Sequence, residues 1–224
     1  KVTGVPMVDL ATRVQMGESL TDQQWKLGLH EDIPFYAVKM PIFSSHKLPG
    51  LDPILGPEMK STGEAIGLGK TINEAIAKAF QWKEDNVTGW GESNTIWLSL
   101  KKVDSQLVQA IKAAKPTIHA DQQTATLLKE AGIDGVEVYN YEEAIQNCLD
   151  DCYALITDVY RTGTKDEHSN LREAALRSDT VCFSSNETLA AYLQAGNISI
   201  KNVESIQNLR KDNQMQNKKE RAFL

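Results

Sequence analysis

The run with the most obvious chemical potential is Gly67-Leu68-Gly69-Lys70-Thr71, which invites comparison with a phosphate-cradling glycine loop. Such a loop needs a glycine five positions before the second one, and that position holds Glu64, whose carboxylate would oppose a phosphate. The run reads instead as a strand-to-helix turn in which Thr71 caps a helix and Glu74, three residues on, completes a capping box. Glu142-Glu143 and Asp150-Asp151 suggest paired carboxylates for acid–base work. Adjacent side chains on a helix do not face one another, so both pairs read as solvated surface. His30, His46, His119 and His168 each lack a metal or triad partner nearby in sequence. Cys148 and Cys152 are four residues apart, but two thiolates without a third and fourth ligand make a poor zinc site, so no metal is expected. With Cys182 they form an odd, sparse set read as core thiols in a reducing compartment.

Composition narrows the remaining choices. With 30 acidic and 24 basic residues the net charge is −6, which argues against nucleic acid as the main partner. An apolar fraction of 41% can fill a core, and 224 residues favour two modules or one with a long extension. No apolar run approaches the roughly 20 residues needed to cross a bilayer, and the opening Lys1-Val2-Thr3-Gly4-Val5-Pro6 has no signal-peptide features. A cytoplasmic location is expected. The chain lacks an initiator Met and opens as though in mid-domain, which suggests a piece of a longer polypeptide.

The elements that must position any site follow from periodicity. Apolar spacing after Pro6 predicts a short amphipathic helix ending near Gly17. Phe35 to Met40 reads as an edge or terminal strand limited by Pro41, Glu58 to Ile66 as a second strand, and Ile72 to Phe80 as a helix. The polar, glycine-bearing stretch 84–94 marks a module boundary. Beyond it, apolar strands at 95–100, 117–120, 136–139, 154–157 and 180–183 alternate with helical segments at 106–114, 124–131, 141–149, 171–177 and 187–195. That alternation implies an α/β fold with a parallel sheet flanked by helices. Ligands in such folds sit at the carboxyl ends of strands, so the loops at Ala120-Asp121-Gln122-Gln123 and Thr157-Asp158-Val159-Tyr160 line the expected cleft. Four segments result: 1–87, a linker at 88–94, a second module at 95–207, and a charged tail at 208–224 expected to be disordered.

The longest specific motif is Lys47-Leu48-Pro49-Gly50-Leu51-Asp52-Pro53-Ile54-Leu55-Gly56-Pro57-Glu58-Met59-Lys60-Ser61-Thr62-Gly63-Glu64. It resembles the end of the carbamoyl-phosphate synthetic half of bacterial carbamoyl-phosphate synthase large subunits, as do Val2 to Pro6 and the helix after them. The resemblance is strong over residues 1–83. It is weaker beyond Trp90, where it rests on element order, Ser99, Thr124-Ala125 and Glu130-Ala131-Gly132-Ile133. It implies the C-terminal tail of an ATP-grasp domain at 1–87, followed by a methylglyoxal-synthase-like three-layer α/β regulatory domain at 95–207. It further implies a parent ligase that makes carbamoyl phosphate from bicarbonate, glutamine-derived ammonia and two ATP. That parent uses ATP and Mg²⁺, with a small glutaminase subunit and the rest of the large subunit as partners and a homo-oligomer as a further possibility.

By the same resemblance the catalytic groups lie upstream of Lys1, so this piece is expected to be inactive, with no cofactor of its own. Glu64 matches a carboxylate lining the carbamate tunnel; its alternative role is that of a salt-bridged acid next to Lys60. In regulated members a nucleotide phosphate is held by lysines, threonines and an asparagine. The aligned positions here read Ser105 for a lysine, Asp121 for a threonine, Asn140 for a lysine and Thr157 for the asparagine, while Asp158 and Val159 replace further threonines. Only Thr124 and the nearby Ser99 are retained, which implies a vestigial effector site. Met40 stands where ornithine-activated members have a glutamate. The pathway served, arginine or pyrimidine supply, stays open. Two other readings are compatible with parts of the sequence: a free-standing methylglyoxal-synthase-like lyase, in which residues 1–83 have no place, and an assembly or binding module.

Overall fold

The computed structural model describes residues 2–23, 28–30, 32–43, 54, 59–80, 94–160, 165–196 and 205–208. Most of the Lys47–Glu64 motif, His46, the 88–94 linker except Asn94, and the charged tail beyond Asn208 lie outside these residues.

The first part of the chain holds α1 (Met7–Gln15), a 3₁₀ turn (Leu20–Gln23), β1 (Tyr36–Ile42), β2 (Gly63–Gly69) and α2 (Ile72–Phe80). β1 and β2 pair antiparallel, from Tyr36 opposite Gly69 to Ile42 opposite Gly63. Two expectations change here. Pro41 lies inside β1 instead of ending it, which an edge strand tolerates because a missing ladder donor costs nothing on an open side. The second strand runs to Gly69, three residues past its expected end, because its glycines let α2 press directly on its backbone. At the start of α2 the Glu74 N–H donates to Thr71 Oγ1 at 3.2 Å, and Glu74 Oε2 accepts from the Lys70 N–H at 2.8 Å. The Gly67–Thr71 run is therefore a capped strand-to-helix turn, with Lys70 exposed.

The second part is a doubly wound α/β unit of three layers. Its strands are β3 (Thr95–Ser99), β4 (Thr117–Ala120), β5 (Glu137–Val138), β6 (Leu155–Asp158) and β7 (Val181–Phe183), and its helices are α3 (Ser105–Ala114), α4 (Gln122–Glu130), α5 (Tyr141–Leu149), α6 (Glu167–Arg177) and α7 (Asn186–Ala195). The sheet is parallel throughout, in the order β5-β4-β3-β6-β7. Alternate residues of the central strands face opposite layers. Ile96, Leu98 and Leu155 pack with Leu107 and Ile111 of α3, Leu128 of α4 and Leu189 and Leu193 of α7. Trp97 and Ile156 pack on the other side with Ala144 and Cys148 of α5 and Leu171 and Ala174 of α6. Of the three thiols only Cys148 belongs to the core; Cys152 is exposed, because it follows the end of α5 in the turn before β6, and Cys182 is half-buried. All three are free.

α2 joins the two parts. Phe80, its last residue, sits edge-on to Phe183 at 5.6 Å and to Tyr192 at 5.1 Å between ring centroids. None of the described helices is long and apolar enough to cross a membrane.

Candidate functional site

In a parallel sheet every helix starts where the preceding strand ends, so the N-termini of α3 to α7 gather at the carboxyl edge of the sheet. Each is already satisfied by a side chain of the chain itself. Asp104 accepts from the Leu107 N–H, Asp121 from Thr124, Asn140 from Glu143, Asp166 from Ser169 and Ser185 from Thr188. Three of these five caps are carboxylates, placed where free N–H groups and the helix dipole would otherwise favour an anion. Local sequence dictates this arrangement, since Asp, Asn and Ser compete best for orphan helix donors.

The strand order reverses between β3 and β6, one crossover leading each way, and the crevice at such a point is where doubly wound sheets bind ligands. Ser99 and Asp158 end these two strands and are fully buried. Ser99 Oγ lies 2.6 Å from the Tyr141 hydroxyl, which lies 2.9 Å from His168 Nδ1; that same nitrogen lies 2.9 Å from Asp158 Oδ2. Asp158 Oδ1 accepts the Tyr160 N–H at 2.9 Å and faces the buried Arg172 guanidinium at 3.4 Å. Burial pushes the Asp158 carboxyl above the usual carboxylate range, against the pull of the Tyr160 N–H, His168 and Arg172. Burial likewise raises the Tyr141 phenol well above its ordinary value, with the Ser99 bond opposing it.

The set superficially resembles a serine–histidine–aspartate relay. In such a relay the imidazole uses one nitrogen for the acid and the other for the nucleophile. Here Tyr141 and Asp158 both crowd Nδ1, and Ser99 is buried behind the tyrosine. The geometry orders the strand ends; it does not activate a nucleophile.

The residues expected from sequence fall around this crevice in different ways. Ser99 and Tyr141, which follows Asn140, are joined directly. Thr124 is buried, accepts the Leu100 N–H at 2.8 Å and bonds Asp121 Oδ2 at 2.9 Å, so Asp121 and Thr124 lock α4 to the end of β3. Asn140 is spent on a capping box with Glu143. Thr157 lies beside Leu98 in the ladder and faces the opposite layer from Asp158; its hydroxyl is buried without a hydrogen-bond partner. Ser105 is an exposed residue at the start of α3. Glu64 lies outside this cleft, on the face of β2 away from α2. It pairs with Lys39 of β1 at 2.7 Å, whereas the Lys60 ammonium donates to the Ile54 carbonyl. The cross-strand neighbour wins because antiparallel pairing brings Lys39 within reach, as sequence proximity alone does not. Among the described residues no group of His, Cys, Asp and Glu is arranged to hold a metal.

Sequence reasoning passed over both well-placed histidines. His168 and Asp158 are ten residues apart on different elements, and only the expectation of a cleft at the loop after Asp158 pointed there. His119 on β4 stacks on Tyr139 at 4.4 Å, approaches the Tyr153 hydroxyl at 3.3 Å and faces Glu137 at 3.7 Å. Burial lowers its pKa and Glu137 partly restores it. Burial also pushes the Tyr153 phenol up to about 12. Because the folded chain disfavours protonated His119, its contribution is complete above the unfolded value of about 6.5 and is lost as pH falls below it. The change in Tm between pH 7 and 5 should therefore be smaller in His119→Phe than in the parent. Thermal melts of the two chains check this; an unchanged pH slope would contradict it.

Among curated proteins, the chain is similar to a carbamoyl phosphate synthase large chain of Clostridium botulinum, with 35% identity over 211 residues, or 90% of this chain and 20% of that protein. A large chain of Clostridium perfringens is 36% identical over 204 residues (87% of this chain, 19% of that one), and one of Agathobacter rectalis is 32% identical over 208 (87% and 19%). The chain thus spans about a fifth of the length of these relatives and is homologous to them across most of its own. No family model matches it.

Proposed function

We propose, from homology to carbamoyl phosphate synthase large chains, that this chain is the C-terminal region of such a subunit, comprising the tail of an ATP-grasp domain and a methylglyoxal-synthase-like regulatory domain. The parent is then a ligase of the cytoplasm that joins bicarbonate and glutamine-derived ammonia at the expense of two ATP, with Mg²⁺ and a small glutaminase subunit. The metal and nucleotide ligands belong to the larger part of that protein, and this region turns over no ATP by itself. Glu64 is assigned to the carbamate tunnel, a role compatible with its place on the hairpin face that α2 leaves open.

The observation that carries the regulatory reading is the occupied helix termini: Asp121 caps α4 and Asn140 caps α5, at positions where relatives that bind uridylate or inosinate would offer phosphate ligands. Ser105 and Asn140 replace two cations, each lost charge-assisted contact removing about 1.5–3 kcal/mol. Together they imply at least a hundredfold weaker binding, since about 1.4 kcal/mol is tenfold, and the Asp121 carboxylate adds repulsion. Titration calorimetry of this chain with uridylate and with inosinate should show no saturable micromolar isotherm. The variant Ser105→Lys/Asp121→Thr/Asn140→Lys should recover part of the affinity. A micromolar isotherm with the unmodified chain would end the reading. The lyase alternative is disfavoured by the same feature, because a bound-phosphate pocket needs the α4 terminus that Asp121 fills.

A further inference from the structure

The turn after β6 carries Tyr160 back over the strand ends. Its N–H donates to Asp158 Oδ1 at 2.9 Å and its carbonyl accepts from Arg172 at 3.0 Å, so the buried pair grips both sides of the residue. The ring stacks on His168 with centroids 4.7 Å apart and planes at 19°. The Lys101 ammonium stands 4.9 Å from its centroid, and its hydroxyl donates to the Leu100 carbonyl at 3.4 Å. Leu100 and Lys101 follow β3, whereas Asp158 ends β6. The phenol therefore spans the two strands between which the crossovers diverge, the place where folds of this kind take their ligands. Its contacts are those of a bound planar molecule: one stacked ring, one cation at the π face and one hydrogen bond to a backbone carbonyl. The residue is only half-buried, so the ring can leave the crevice directly to solvent.

We propose that Tyr160 is an intramolecular ligand whose phenol ring fills, in cis, the crevice between the carboxyl ends of β3 and β6 and keeps it in its occupied arrangement with no effector bound. The proposal rests on the reading of this unit as a regulatory domain without its nucleotide ligands, and supplies what stands in their place.

A core tyrosine and an internal ligand differ in what remains once the ring is gone. A preformed crevice stays folded around an empty slot that accepts a free ring of the same size, as cavities left by side-chain truncation do. The test uses this chain with Tyr160→Gly and phenol as the probe. The variant is expected to keep the parent's far-UV circular dichroism and to bind one phenol saturably by calorimetry. Phenol at about a hundred times its Kd should raise the variant's Tm by roughly 5 °C. Toluene, which cannot donate to the Leu100 carbonyl, should bind about tenfold more weakly. The unmodified chain should give no phenol isotherm. A Tyr160→Gly chain that fails to fold marks the ring as ordinary core and overturns the proposal, as does a folded variant that takes phenol no better than the parent. Nucleotide binding by the unmodified chain would instead remove the underlying reading while leaving the phenol result to stand for the ring alone.

Discussion

Gly67→Ala is expected to prise α2 off the β1–β2 hairpin and to cost at least about 3 kcal/mol, the upper range for forcing atoms into a packed interior. A Cβ at Gly67 would lie 2.0 Å from the Ala75 carbonyl oxygen and 2.4 Å from the Ala79 nitrogen. Both are helix backbone, so no side-chain rotation relieves the overlap; the helix has to move. Gly69→Ala meets the Ala75 nitrogen at 2.6 Å and should be the next most damaging, whereas Gly63→Ala has only the Ile42 Cβ at 3.8 Å and should stay within about 0.5 kcal/mol of the parent. Urea unfolding of the three variants checks the order. Equal losses for Gly67 and Gly63 would mean that α2 does not rest on β2 as described.

Arg172→Met should cost about 3–5 kcal/mol at pH 7, the usual result of removing one member of a buried ion pair. Asp158 is fully buried, and its neighbours other than Arg172 are the Tyr160 N–H and His168, whose bonds alone do not offset desolvation of a charge. The loss should depend on pH in a defined sense. Burial already raises the Asp158 carboxyl and loss of the guanidinium raises it further, so the folded variant binds a proton more readily than its unfolded chain. Stability of such a group increases as pH falls through the raised folded value. The deficit of Arg172→Met should therefore be smaller at pH 5 than at pH 7. Asp158→Asn/Arg172→Met should also be more stable than Arg172→Met alone, because the second change removes the orphaned charge. Denaturant melts at the two pH values decide both points, and a deficit independent of pH would show that Arg172 acts by packing.

Much of the doubly wound unit was legible because its signals are local. Alternation of short apolar strands with 3.6-periodic segments placed every strand and helix to within a few residues, and the parallel order follows from that alternation. The strand ends were legible too, since β4 closes at Ala120, just before Asp121, and β6 closes at Asp158. What escaped depends on three-dimensional neighbours. The extent of β2 is hidden because glycines weaken a strand by propensity, while here they admit a helix. The Lys39 partner of Glu64 required the hairpin register. The Ser99, Tyr141, His168 and Asp158 cluster draws on four elements, and nothing in the spacing of those residues announces that β3, α5, β6 and α6 converge on one imidazole.

Phe80 makes a seam drawn by sequence differ from the one drawn by packing. The polar stretch beyond it invites a cut, yet the last side chain of α2 packs edge-on against both Phe183 and Tyr192 on the far side. A recombination event that joined a foreign second unit at the linker would keep the key without its socket, leaving the Phe80 ring facing water. The two parts are therefore coupled through this contact, so that a change at Phe80 alters the packing of Phe183 and Tyr192 even though more than a hundred positions along the chain separate the first from the other two.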